Sequence, residues 1–160
     1  MRRLPAAMTQ PAPRDPDFAA RVRASFERQL FMATLGARLV RVEPGEVDLE
    51  LPVRSELTQQ HGFLHAGALA SVADSACGYA ALSLMPPGAA VLSVEFKINL
   101  LAPAAGDRVL AKGRVIRAGK TVTVCWGEVV ALSGPTGTTE RLVATMVGTM
   151  MTVEGRGLAD

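Results

Sequence analysis

Residues 57–94 are thirty-eight positions in which Asp74 is the only side chain with a formal charge. Within them, Ala66 to Leu84 is dominated by Ala, Gly and Ser and is closed by Pro86-Pro87-Gly88. The run is too long for a strand, and a helix without a polar stripe has to be covered on almost every side. A chain of 160 residues and 16.8 kDa can supply that cover inside one domain, because at this size about two thirds of the unfolded surface is buried. A lipid bilayer is the other possible cover, and residues 63–81 have about the right length. Asp74 at the centre of a span costs about 2.5–3.5 kcal/mol, and small residues offset little of it. Packing against a sheet or a second helix is therefore the better reading.

The segments on either side supply such a sheet. Asp15-Pro16 opens a helix expected over residues 16–34, with Asp15 as N-cap and Phe18, Val22, Phe26 and Leu30 recurring every fourth residue until Gly36. Residues 38–42, the Pro44-Gly45 turn and the alternation of Val47, Leu49, Leu51 and Val53 with Asp48, Glu50 and Pro52 read as a half-buried hairpin. Four more strands are expected at about 90–101, 108–117, 120–132 and 141–153, separated by turn clusters at 103–107, Gly119 and 134–138. Helix, two strands, apolar helix, four strands makes an α+β chain whose mostly antiparallel sheet covers the helix that lacks a polar face. No internal repeat appears, so the expectation is a disordered leader over 1–15 and a single domain over 16–155.

Seventeen Lys and Arg against fifteen Asp and Glu leave a formal charge of +2, too little for electrostatic nucleic-acid binding to be the main business. The first 28 residues carry +3 and the other 132 carry −1, so the remainder is nearly neutral. Cys77 and Cys125 stand far apart, with no metal-type Cys/His spacing, which fits a reducing cytoplasm and neither a disulfide framework nor a structural metal. The Pro- and Ala-rich start lacks the apolar core of a secretory signal.

A carboxylate in an apolar helix costs several kcal/mol unless its pKa rises or a partner is provided, so Asp74 is the first candidate for chemistry. A satisfied structural acid is the competing reading. Gln59, Gln60, His61, Gly62 and His65 form a polar cluster just before the helix, beside the unpaired N–H groups of its first turn at Ala66 and Gly67. Such N–H groups can hold an oxyanion, Asp74 lies about two turns further in as a base, and the amides and imidazoles can position a substrate. Acyl transfer to water is the chemistry these parts suit. His65 taken alone reads more simply as an N-cap. There is no G-x-S-x-G, no H-E-x-x-H and no third ligand for His61-x-x-x-His65. Gly119-Lys120-Thr121 imitates the end of a P-loop without its first glycine, and it reads as a hairpin turn.

Gln59-x-x-Gly62-x-x-His65-Ala66-Gly67 followed by Asp74, Ser93-Val94-Glu95, Leu101-Ala102-Pro103-Ala104 and Gly119-Lys120-Thr121 resembles the hotdog-fold acyl-CoA thioesterases of the phenylacetate-degradation (PaaI-like) type over residues 35–153. The resemblance implies a hotdog fold, an antiparallel sheet wrapped around the central helix, with an extra N-terminal helix outside the matched part. It implies homodimers joined sheet edge to sheet edge, commonly assembled into homotetramers, with active sites across the dimer interface. In that family's terms Asp74 is the general base or nucleophile and Ala66 N–H the oxyanion donor. Gln59 and His65 orient substrate and water, and Ser93 holds the water. Gly67 joins the substrate contacts. No metal or redox cofactor is implied, coenzyme A being part of the substrate.

Two positions depart from the family pattern, Ala66 within His-Gly-Gly and Gln59 in place of Asn. Ala66 keeps its N–H, but its methyl narrows the approach to the carbonyl. Arg108, Lys112, Arg114, Arg117 and Lys120 gather on two expected strands and their turn, and Arg117 and Lys120 are the candidates for coenzyme A phosphates. Pro103 and Gly119 are candidates for its pantetheine arm. Leu57, Phe63, Tyr79, Leu82 and Met85 are candidates for the acyl pocket, or simply core. A catalytically silent acyl-CoA sensor and a hotdog dehydratase or hydratase are the competing functions; the His/acid pairing of the latter is missing.

Overall fold

The computed structural model describes residues 12–134, 139–158 and 160. Most of the expected leader, residues 1–11, and most of the last turn cluster, residues 135–138, lie outside the described residues.

The N-terminal helical segment is two helices, not one: α1 (Phe18–Arg28) and α2 (Leu30–Leu35). The break is at Gln29, whose φ of −81° and ψ of 88° leave the helical region. The turn re-aims α2 so that Met32 and Leu35 are buried, while Leu30, expected on the buried face, is 79% exposed. Gly36 ends α2 at φ +76°, a left-handed conformation that glycine adopts without strain. Asp15 is not the N-cap either. Buried, it accepts from Asp17 N–H at 2.9 Å and pairs with Arg21 at 3.1 Å. Arg21 in turn donates to the carbonyls of Leu82, Met85 and Pro86 at 2.9, 3.0 and 2.6 Å. A cation there satisfies carbonyls that the end of the central helix leaves open, and it fastens α1 to that end.

The strands are β1 (Arg38–Glu43), β2 (Glu46–Pro52), β3 (Ala90–Leu100), β4 (Arg108–Ala118), β5 (Val122–Ser133) and β6 (Thr139–Val153), close to the expected spans. All pairings are antiparallel, in the order β1-β2-β4-β5-β6-β3. Central helix α3 (Ala66–Leu82) packs on five of the six strands, and Val72, Ala76, Cys77, Ala80 and Leu82 are fully buried. The small residues permit this closeness. At Gly113 of β4, a Cβ would lie 2.3 Å from the Ala76 carbonyl, so the strand backbone rests directly on the helix. The sheet wrapped around a helix is the hotdog arrangement that the resemblance implies. Among the described residues, no helix is long and apolar enough to cross a membrane.

Candidate active site

Asp74 emerges from α3 half-buried, at a pocket of about 120 Å³ lined with Gln29, Ser75, Gly78, Tyr79, Val91, Ser93 and Asp160. Burial pushes its carboxyl above the ordinary 3.8, and a hydrogen bond donated by Ser93 Oγ to Oδ1 at 2.7 Å pulls it partly back. Ser93 owes its aim to an irregularity in β3. The register with β6 runs Ser93 to Met150 and then Glu95 to Thr149, so Val94 is bulged out. A bulge re-aims the side chain beside it, and here that side chain reaches the carboxylate. The Asp74–Ser93 pair is thus a carboxylate with one oxygen engaged and the other on a pocket.

The second group of expected residues sits at the start of α3. The Ala66 N–H, first of the helix, has no acceptor among the described residues. Gln59, Ala66 and Pro103 line one pocket of about 400 Å³ with Phe63, Leu69 and Leu101. Its loop is fixed by backbone bonds from Leu64 N–H to Ala104 at 3.0 Å and from His65 N–H to Leu57 at 2.9 Å. Gln59 Oε1 accepts from His61 N–H at 2.5 Å. His65 and Gly67 face a different hollow, of about 300 Å³, and His65 Nδ1 accepts from Gly67 N–H at 2.9 Å. The imidazole is therefore the N-cap of α3, and it takes up the second of the two expected donors.

One chain does not bring the two groups together. Ala66 and Asp74 are eight residues apart on one helix, about 12 Å of rise, and they open onto different pockets. Residues 61–138 match the family model described as Thioesterase superfamily. A solved thioesterase family protein from Silicibacter pomeroyi is 51% identical, with a TM-score of 0.83 over 86% of this chain and 99% of that one. The PaaI protein of the phenylacetic acid degradation operon of E. coli is 26% identical, with a TM-score of 0.77 over 87% of this chain and 95% of its own. Acyl-coenzyme A thioesterase 13 of Homo sapiens is 34% identical over 99 residues, 61% of this chain and 67% of its own.

The chain belongs to the thioesterase superfamily. The PaaI-like resemblance and the class of enzyme, thioester hydrolase, are met at the level of this family. The chain spans 64% to 74% of the length of the curated relatives it matches.

Within this thioesterase fold the basic residues divide. Arg114 is paired with Asp48 at 2.6 Å and Glu46 at 3.5 Å, and Arg108 with Glu50 at 3.2 Å. Arg117 and Lys120 are exposed beyond these pairs, and Lys120 borders a pocket of about 230 Å³ with Arg14, Gly119 and Thr152. That pocket lies by Ala81 and Leu84, the far end of α3 from Ala66. Of the acyl-pocket candidates only Tyr79 lines the Asp74 pocket, whereas Leu82 is core. Both cysteines are buried thiols, Cys77 raised well above its ordinary value by burial and Cys125 pushed up to about 12. Neither suits a nucleophile. Gln29, Asp160 and the Val94 bulge were not among the expected site features. Gln29 lies inside the helix expected over residues 16–34, and nothing in the sequence marks the break that turns it inward.

Proposed function

We propose that the chain hydrolyses an acyl-CoA thioester to the free acid and coenzyme A, with Asp74 as general base. The carrying observation is the half-buried Asp74 carboxylate, held by Ser93 and opening onto a pocket. In this reading the carboxylate oxygen not bonded to Ser93 takes a proton from water as the water oxygen bonds to the thioester carbon. The Ala66 N–H, with the α3 N-terminus behind it, receives the oxyanion. The carbon–sulfur bond then breaks, and the thiolate leaves and recovers the proton.

Because Asp74 and Ala66 open onto different pockets of one chain, the reading requires two. β3 is an edge strand with Leu92, Val94, Phe96 and Leu100 exposed, and the homodimer is formed by pairing this edge with its copy. Asp74 and Ser93 of one protomer then meet Gln59 and Ala66 of its partner; pairing of such dimers into a homotetramer is a further step of the same reading. Exposed Arg117 and Lys120 are assigned to the coenzyme A phosphates, and Pro103, in the Ala66 pocket, to the pantetheine arm. Two buried thiols, with Cys125 Sγ 3.4 Å from the Cys77 carbonyl and no bond between the sulfurs, support a cytoplasmic setting. A panel of acyl-CoA esters with a thiol-reactive dye tests the activity. Thiol release with turnover supports it; saturable binding without free thiol identifies a sensor, and water addition to an enoyl-CoA identifies a hydratase.

A further inference from the structure

The Asp74 pocket has a wall that water activation leaves unused. Gln29, at the break between α1 and α2, and Tyr79 of α3 both line it. The Tyr79 ring is buried and held edge-on against Phe26, with centroids 5.8 Å apart. Its hydroxyl has Ser25 as one hydrogen-bonding neighbour and donates to Gln29 Oε1 over 3.5 Å, the outer limit of a hydrogen bond, so the Gln29 contact is cheaply exchanged for one to a ligand. Gln29 Nε2 has no partner among the described residues. The third polar group there, the Asp160 carboxylate, is already occupied by Ser25 Oγ at 2.9 Å and Val91 N–H at 2.8 Å. What the wall offers is therefore hydrogen-bond donors. The space is small as well: about 120 Å³, against roughly 150 Å³ for a cavity that accommodates one benzene molecule. A long alkyl chain would overfill it and leave those donors without acceptors.

We propose that Gln29 and Tyr79 form the specificity wall of the acyl pocket, which selects a short acyl group whose far end carries a hydrogen-bond-accepting oxygen, read by the Gln29 amide. This rests on the hydrolytic reading of the Asp74 pocket. Of the two residues, Gln29 lies at the break between the N-terminal helices, outside the residues that match the family model, whereas Tyr79 lies within them.

The test compares kcat/KM for pentanoyl-CoA, 4-oxopentanoyl-CoA and octanoyl-CoA in the parent, Gln29→Leu and Tyr79→Phe. The parent is expected to favour 4-oxopentanoyl-CoA over pentanoyl-CoA by about tenfold, one hydrogen bond's worth, with octanoyl-CoA below both. Gln29→Leu brings the first ratio to near one, and Tyr79→Phe, which keeps the ring, reduces it. Equal rates in the parent, or a preference that survives Gln29→Leu, overturns the proposal. A parallel NMR titration with free 4-oxopentanoate and pentanoate needs no turnover. If the parent releases no thiol from any ester, the hydrolytic reading fails. Displacement of the Gln29 side-chain amide resonance by the oxo acid alone then still supports the wall, and no displacement by either acid refutes it.

Discussion

The two edges of the sheet are built to opposite ends. β1 is six residues long, carries Arg38, Arg41 and Glu43, and has α1 against it. Its arginines are tied back to β2, Arg38 to Glu50 and Arg41 to Glu46 at 2.5 Å. β3 is eleven residues long and exposes apolar side chains along its length. Each edge has a bulge at a valine, Val40 in β1 and Val94 in β3, so irregularity alone does not separate them. Length and charge do. A short, charged, covered edge resists pairing with another chain, and a long apolar one invites it. The inviting edge is also the strand that delivers Ser93 to Asp74, so in the proposed reading assembly and chemistry share one element.

The largest effect should come from closing the open edge. Val94 is 58% exposed and Val40 49%, so lysine at either meets similar local conditions. Val94→Lys is expected to turn the proposed dimer into monomers in light scattering after size exclusion, and to abolish thioester hydrolysis, because each proposed site needs both chains. Val40→Lys should change neither. Matching effects of the two would dissolve the distinction between the edges.

Asp74→Asn comes next, with hydrolysis lowered by about 10²-fold or more, the usual cost of losing a positioned base, and the oligomer intact. The acid also costs stability. Its folded pKa is raised, so the folded state holds the proton more tightly than the unfolded chain does. Stability is then greatest below the unfolded value and falls as pH rises from there to the raised folded value. Asp74→Asn is therefore expected to have a higher Tm than the parent at neutral pH, with the gap closing as pH falls toward 3.8. An equal or lower Tm at neutral pH would mean that the acid is a satisfied structural group.

How much of this was legible in the sequence follows from what each element depends on. The spans of α3 and the strands could be read because their patterns are local: an uncharged run of small residues, period-two alternation, turns at Gly and Pro. Asp74 stood out for the same reason. The break at Gln29 could not be read, because the four-residue period of Phe18, Val22, Phe26 and Leu30 continues through it. What competes with that period is tertiary, namely the docking of Arg21 on the end of α3 and the burial of Met32 and Leu35. The Val94 bulge was hidden likewise, since Ser93-Val94-Glu95 looks like ordinary strand until β6 sets the register. His65 was legible only as a choice between cap and substrate contact; in the structure its Nδ1 caps Gly67 N–H, which leaves Nε2 free of that bond.

A third effect, smaller again, sharpens the role of the bulge. Ser93→Ala removes the hydrogen bond that favours the ionised carboxylate, so burial acts unopposed and the Asp74 pKa moves further up. In the proposed reading the base works ionised, so the acidic limb of the kcat profile should move to higher pH. Activity at neutral pH should drop about tenfold, on the scale of one hydrogen bond to a charged group. A uniform drop with an unmoved limb would mean that Ser93 holds water or substrate without tuning the acid.

The smallest effect returns to the guarded edge. The Arg38 side chain is 69% exposed and its partner Glu50 is also paired with Arg108, so Arg38→Ala should change unfolding free energy by no more than ~0.5 kcal/mol in urea titrations. If these charges contribute so little to stability, their place on β1 needs another reason, and edge protection supplies one. Replacing both Arg38 and Arg41 by alanine leaves Val40 on an edge without positive charge. The doubly substituted protein should keep its stability and hydrolysis, yet form larger species in light scattering as its concentration is raised. Lost stability with unchanged association would make the charges structural and leave α1 as the guard of that edge.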